Sequence, residues 1–255
     1  MRNIKILLQY DGTNYLGWQI QPSGRTIQSC IQNCLLRITG ENINVIAAGR
    51  TDAGVHAIGQ TACFMTCSQL STSVLQNALN SLLPSDVRIT EISEVDSSFH
   101  ARYSARKKSY VYLLTMDRNV SPFIYRYVWR IPYNLDAPAM RSALSYITGT
   151  HDFSAFRGSG CGARTTVRTL HTASLVEMNA IEVTTIQHSG SFMKFRFEGD
   201  AFLRHMVRNL VGTIVEVGRG KLKAEDMTRI LESKDRKCAG MTAPANGLFL
   251  ENITY

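Results

Sequence analysis

Signatures of metal binding, phosphate cradling and acyl transfer are missing from this sequence, and each absence removes a class of function. The six cysteines are Cys30, Cys34, Cys63, Cys67, Cys161 and Cys238. None of them forms the CxxC spacing of a zinc ribbon or a dithiol redox site. The six histidines, at 56, 100, 151, 171, 188 and 205, contain no HxH or HxxxH pair, so sequence spacing offers no metal site. There is no DxD to gather magnesium around an aspartyl nucleophile, no Walker A loop, no GxGxxG and no GxSxG elbow. No apolar run approaches the length of a membrane span. Met1-Arg2-Asn3-Ile4 runs straight into a strand pattern, without the charged and apolar regions of a signal peptide. The expectation is a reduced, cytoplasmic protein with no metal, no cofactor and no membrane attachment.

Acid is also in short supply. The chain has 28 Lys+Arg against 20 Asp+Glu, a net charge of +8, and a pI near 9.3. The excess is uneven. Arg102, Arg106, Lys107, Lys108, Arg118, Arg126 and Arg130 face only Asp117 across residues 100–130, and residues 193–223 carry Lys194, Arg196, Arg204, Arg208, Arg219, Lys221 and Lys223 against Glu198, Asp200 and Glu216. Such clusters read either as surface turned toward a polyanion or as ordinary solvated faces. With 44% hydrophobic and 19% charged residues over 255 positions, the chain has the composition of a soluble globular protein of one large or two ordinary domains.

Strand and helix patterns interleave along the chain. Lys5–Tyr10 predicts a strand ended by the turn Asp11-Gly12, and Thr26 opens a helix whose Ile27, Ile31 and Leu35 share a face and whose end is Gly40. Val45–Ala48 and Gln60–Thr66 read as strands, Ser71–Leu82 as a helix stopped by Pro84, and Val87–Val95 as a strand. The pattern loosens over Ser97–Lys108, which places a boundary between an N-terminal half, 1–104, and a C-terminal half, 105–255. In the second half Ser109–Thr115 is a strand and Leu135–Ile147 a helix, followed by a loop over Gly149–Ala163. Three strands (Val167–Val176, Ile181–His188, Phe192–Phe197) precede a helix over Phe202–Val217, a short helix over Ala224–Ser233 and a last strand over Leu248–Ile253. This order is that of an α/β or α+β protein without an internal sequence repeat.

The chemistry-bearing stretch is GRTDAGVHAIGQ, residues 49–60. Gly49 and Gly54 bracket Arg50, Thr51 and Asp52, and glycine allows both a sharp bend and a close approach by substrate. A cation two residues from Asp52 favours the ionised carboxylate that a nucleophile or base requires. Taken alone, the same stretch is an Asx turn or cap with Arg50 as its surface partner. The predicted helix from Phe202 sets Arg204 and Arg208 four apart, and Arg208 lies close to the apolar stripe, where a buried arginine calls for a carboxylate such as Asp52. Tyr110 follows Lys107-Lys108-Ser109, an aromatic among cations that suits a stacked base, or equally a half-buried sheet tyrosine.

Together these pieces resemble the tRNA pseudouridine synthases of the TruA type, in the bacterial form. The resemblance rests on Tyr10-Asp11-Gly12, Tyr15-Leu16-Gly17-Trp18-Gln19, Thr26-Ile27-Gln28 and GRTDAGVHAIGQ. It continues through Phe99-His100-Ala101-Arg102, Lys108-Ser109-Tyr110-Val111-Tyr112 and His151-Asp152-Phe153-Ser154-Ala155-Phe156. Phe202–Asn209 with Val211-Gly212, and then Ala243–Leu248, complete it, in order along nearly the whole chain. The resemblance implies two α/β halves, with largely antiparallel or mixed sheets, meeting in a central basic cleft, and a homodimer acting without cofactor or metal. The implied reaction isomerises uridine to pseudouridine at positions 38, 39 and 40 of the tRNA anticodon stem-loop. Asp52 corresponds to the catalytic aspartate, Arg50 to the residue that displaces the target nucleotide, and Tyr110 to the tyrosine packed on the flipped uracil. Arg208 corresponds to the cation paired with the aspartate, and Leu248 to an apolar wall. The glycine-rich segment Gly158–Gly162 has no role assigned by the resemblance. A tRNA-binding protein without catalysis would keep the basic clusters and Tyr110 but has no use for Asp52, and an enzyme forming an aspartyl phosphate lacks the acids to hold its metal.

Overall fold

The computed structural model describes residues 1–183 and 186–255, and the chain divides into two compact units. The first is Met1–Arg106 with Phe249–Tyr255, and the second is Lys107–Leu248. Five elements in chain order build most of the first: β1 (Arg2–Tyr10), α1 (Ile27–Thr39), β2 (Ile46–Ala47), β3 (His56–Thr66) and α2 (Thr72–Leu82). β4 (Val87–Val95) follows. In the second unit come β5 (Lys107–Thr115), β6 (Trp129–Arg130), α3 (Ala137–Ser145), β7 (Gly149–Asp152), β8 (Val167–Val183) and β9 (Ile186–Gly199). α4 (Met206–Gly218), α5 (Asp226–Ser233) and β10 (Leu248–Thr254) complete the chain.

In the first unit β1 is central, antiparallel to both β3 and β4, while β2 pairs antiparallel with β3 and β10 pairs with it in parallel. Alternation sets the inner face of β1: Ile4, Ile6, Leu8 and Tyr10 are all buried. α1 starts where Thr26 and Ser29 exchange side-chain and backbone hydrogen bonds, and it ends at Gly40, whose φ of 73° suits a residue without Cβ. Ile27, Ile31 and Leu35 supply its buried stripe. β3 begins four residues before the predicted Gln60. Gly59 looks like a break but marks a close approach, since a Cβ there would lie 2.4 Å from the carbonyl oxygen of Glu251 on β10.

The second unit is built on an antiparallel sheet of order β5-β9-β8-β7, with β6 added in parallel to β5. The three strands predicted between Val167 and Phe197 are two long ones. Ser189-Gly190-Ser191 resembles a turn but stays within β9, because Gly190 lets the Asp117 carboxylate come close and accept a hydrogen bond from the Ser191 N–H at 3.0 Å. Of the predicted strand Ile181–His188, Thr184 and Thr185 lie outside the described residues; on either side, Val183 pairs with Ile186. The predicted loop from Gly149 opens instead with β7, whose four residues pair with β8 and are too few to show a period. β6, two residues long, escapes prediction for the same reason.

The helix predicted from Phe202 begins at Met206. His205 precedes it with φ 61°, a left-handed conformation that cannot continue a helix backwards. Arg204 therefore lies outside α4 and is not one turn from Arg208 on a shared helical face. It turns to the carbonyl of Ser159 at 3.0 Å. Among the described residues, no helix is long and apolar enough to cross a membrane.

α4 is buried along most of its length, and the segment 240–243 lies directly on it. A Cβ on Gly212 would sit 1.8 Å from the carbonyl oxygen of Met241. Gly212→Ala is expected to destabilise the protein by at least about 2 kcal/mol through overpacking, read as a lower denaturant midpoint at unchanged slope.

Candidate active-site loop

Residues 48–55, between β2 and β3, form the site loop, and its backbone is held from four directions. The Ala48 N–H donates to the Thr61 carbonyl at 2.8 Å, and the Trp18 N–H donates to the Thr51 carbonyl at 3.1 Å. The Val55 N–H closes a turn on the Asp52 carbonyl at 3.1 Å, and the Gly54 N–H reaches the Tyr15 carbonyl at 3.3 Å. The Gly49 carbonyl accepts from Gln60 Nε2 at 2.7 Å. Such a loop satisfies its polar groups without regular structure.

Side chains add a second set of anchors. The Tyr10 hydroxyl lies 2.8 Å from Thr51 Oγ1 and accepts from Gln60 Nε2 at 3.3 Å. All three residues are buried, and burial pushes the Tyr10 phenol up to about 12, against the lowering effect of its Thr51 and Gln60 hydrogen bonds. Arg50 and Asp52 flank Thr51 in sequence; Arg50 is exposed and Asp52 half-buried. The arrangement sinks the middle residue and leaves the charged neighbours nearer to solvent.

The short motifs upstream are parts of this same construction. Gly12 lies against the loop's end, where a Cβ would meet the Val55 carbonyl oxygen at 2.0 Å, and its N–H donates to His56 Nδ1 at 3.1 Å. Gly17, at φ 89°, lies under its middle, where a Cβ would stand 2.5 Å from the Thr51 oxygen. Gln28 ties the intervening segment to the strand region. Its Oε1 accepts from the Ile20 N–H and its Nε2 donates to the Val45 carbonyl.

Tyr110, Arg208 and Leu248 belong to the second unit. Tyr110, on β5, is buried with its ring edge-on to Phe202 at a centroid distance of 4.9 Å. Tyr112 is wholly buried and donates from its hydroxyl to the Pro244 carbonyl at 2.8 Å, so it is a structural tyrosine. Arg208 is half-buried on α4 and donates through Nε to the Ala243 carbonyl at 2.7 Å, while the Ala243 N–H returns a bond to the Arg208 carbonyl. The 3-10 turn Ala245–Gly247 then delivers buried Leu248 to the start of β10. Gly247 permits this, since a Cβ there would overlap the Tyr112 ring.

Sequence reasoning missed Asn209 and the use of Gly158–Gly162. Asn209 is fully buried, donating to the Phe156 carbonyl at 2.8 Å and accepting from Thr242 Oγ1 at 2.6 Å and Arg236 at 3.1 Å. It thereby links α4 to the 3-10 turn Ser154–Phe156 and to the chain leading into Ala243. Gly158 packs on the His205 ring, 2.7 Å from where a Cβ would fall, and its N–H donates to the Arg204 carbonyl. The glycine-rich segment thus braces the entry to α4. The basic clusters are also more internally paired than their composition indicates. Glu198 meets Lys107 at 3.3 Å and Arg196 at 3.7 Å, Glu216 meets Arg219 and Lys221, and Asp200 meets His171.

The profile of a family described as tRNA pseudouridine synthase matches residues 6–104 and 143–255. The chain belongs to the tRNA pseudouridine synthase family. A tRNA pseudouridine synthase A from Thermodesulfovibrio yellowstonii is 48% identical over 255 residues, covering 100% of both chains. Another from Acetivibrio thermocellus is 45% identical, again over 100% of both. Among solved structures, an archaeal box H/ACA sRNP Nop10-Cbf5 complex aligns with 94% of this chain and 69% of that chain at 13% identity, with a TM-score of 0.33, a likeness too slight to bear on the site. Within this synthase the loop around Asp52 and the α4 segment around Arg208 fall inside the profile match, while Tyr110 falls between its two stretches.

The backbone beneath Asp52 admits no side chain at Gly17. Gly17→Ala is expected to lower pseudouridine formation by roughly a hundredfold through displacement of the loop, with tRNA affinity held within about threefold because phosphate contacts dominate binding. Parallel turnover and filter-binding assays separate the two.

Proposed function

We infer that the protein is an isomerase that converts uridine to pseudouridine in tRNA, and we propose that its targets are uridines 38, 39 and 40 of the anticodon stem-loop, with Asp52 as the catalytic aspartate. The observation that carries the reading is the loop itself. A half-buried carboxylate stands on a backbone fixed at Gly49, Thr51, Asp52 and Gly54, and preorganisation of this kind is what covalent or acid–base catalysis demands.

In the reaction the bond between uracil N1 and ribose C1′ breaks, the freed base turns, and C5 bonds to C1′. The hydrogen on C5 leaves as a proton, and N1 gains one, so the product is an isomer of the substrate. Asp52 as a carboxylate serves either as the nucleophile that holds the detached fragment or as the base that takes the C5 proton. Arg50, exposed one residue beyond Gly49, is proposed to displace the target nucleotide from its stack, a step required when chemistry falls on a stacked base. Tyr110, held rigid against Phe202, offers its ring to the uracil. Arg208, whose Nε is fixed on the Ala243 carbonyl, is proposed as a substrate-binding cation, and Leu248 as an apolar wall for the base. None of these steps calls for a metal or cofactor. Six free thiols and a tRNA substrate support a cytoplasmic setting.

Asp52→Ala is expected to abolish tritium release from tRNA carrying 5-³H-uridine at positions 38–40, with tRNA affinity within about threefold of the unchanged protein. Retained release removes Asp52 from the mechanism, and tight binding without release by the unchanged protein reduces the reading to RNA binding. The family resemblance also supports a homodimer, for which light scattering is expected to give twice the chain mass of 28.5 kDa; the monomer mass at micromolar concentration would overturn that assembly.

A further inference from the structure

Tyr10, Gln60 and Thr51 form one continuous buried chain of hydrogen bonds whose two ends lie on either side of Arg50. Gln60 Nε2 donates to the Gly49 carbonyl at one end and to the Tyr10 hydroxyl, and the Tyr10 hydroxyl lies 2.8 Å from Thr51 Oγ1 at the other. The Tyr10 oxygen accepts from Gln60, and between the Tyr10 and Thr51 hydroxyls either can be the donor. Gln60 and Tyr10 are on β3 and β1, paired strands at the centre of the first unit's sheet. The chain therefore transfers the rigidity of the sheet to the residue that immediately precedes Asp52.

Stability alone does not call for this design. A buried hydrogen-bonded pair contributes little more than apolar groups of the same shape, and Gln60 is wholly buried while its Oε1 has no hydrogen-bond partner among the described residues. An unpartnered buried acceptor is a net cost. The carboxamide is held for its N–H groups, at a place where both the Gly49 carbonyl and the Tyr10 oxygen accept from it.

We propose that Tyr10, Gln60 and Thr51 are positioning residues that fix the backbone at Gly49 and Thr51, and so aim the Asp52 carboxylate for the isomerisation; this rests on Asp52 being the catalytic aspartate. The relay acts through geometry and not through proton transfer. Tyr10 stays protonated across the neutral range because burial pushes its phenol up to about 12.

The test uses the full chain and an unmodified tRNA transcript, with turnover read by tritium release. Tyr10→Phe and Thr51→Val each remove a link while keeping shape. The expected result is a fall in kcat of roughly 10- to 100-fold, with KM for tRNA within about twofold and an unshifted pH profile. Tm should hold within about 4 °C, and Thr51→Ser, which restores the hydroxyl, should recover kcat to within about threefold. Unchanged kcat in both variants overturns the proposal. So does an effect confined to KM, or a loss that tracks Tm and persists in Thr51→Ser. If Tyr10→Phe does not fold, Thr51→Val and Thr51→Ser decide by the same criteria. An inactive Asp52→Ala beside a fully active Thr51→Val overturns this inference alone, whereas an active Asp52→Ala overturns the catalytic assignment and this inference with it.

Discussion

A loop without regular structure is rigid only when other parts of the chain satisfy its polar groups and occupy the space beneath it. Residues 48–55 meet that condition through contacts with the Tyr15–Trp18 segment, with β1 through Tyr10 and with β3 through Thr61 and Gln60. Two glycines make the approach possible, because side chains at Gly12 and Gly17 would occupy the same space as the loop backbone. Several segments within the first sixty residues thus hold the loop that carries Asp52, and motifs that look separate along the chain are neighbours in the fold.

The second unit solves a related problem by different means. Arg208 sits half-buried on α4, with the segment Gly240–Ala243 packed directly against that helix. Gly212 and Gly240 permit the contact, Asn209 and Arg236 satisfy polar groups that the contact buries, and Ala243 exchanges hydrogen bonds with Arg208. Desolvation lowers the Arg236 guanidinium from its ordinary range, yet it keeps its charge, since arginine has ample margin. The guanidinium works here as a many-armed donor to the carbonyls of Ala239 and Gly240.

The excess of positive charge has a narrower meaning in the structure than in the composition. Lys107, Arg196, Arg219 and Lys221 have carboxylate partners within 4.0 Å, so they offer less to a phosphate than a count of charges indicates. Arg102 lies over the ring of exposed Tyr103, an arrangement open to both phosphate and base. For a tRNA pseudouridine synthase the useful distinction is between such open cations and those already engaged.

Much of the architecture was legible from the chain alone. Periodicity located β1, α1, α2 and β4 within a few residues, because each is long enough for its apolar repeat to emerge and is bounded by a cap, a glycine or a proline. The loop of Asp52 stood out as a candidate because it carries two glycines and two charges in a short space. Tyr10 was legible in principle, as a hydroxyl on the strand face that otherwise carries Ile4, Ile6 and Leu8, but its partner was not. Hydrogen bonds between residues forty or fifty positions apart leave no periodic trace. The left-handed turn at His205, the strand glycines at 59 and 190, and the hub at Asn209 were decided by tertiary packing for the same reason: each answers to an atom brought close by another part of the chain. Sequence by itself determined the elements and the chemical groups of the candidate site. Only the tertiary structure decided how tightly its loop is held, because that depends on which distant donors and which missing side chains meet beneath it.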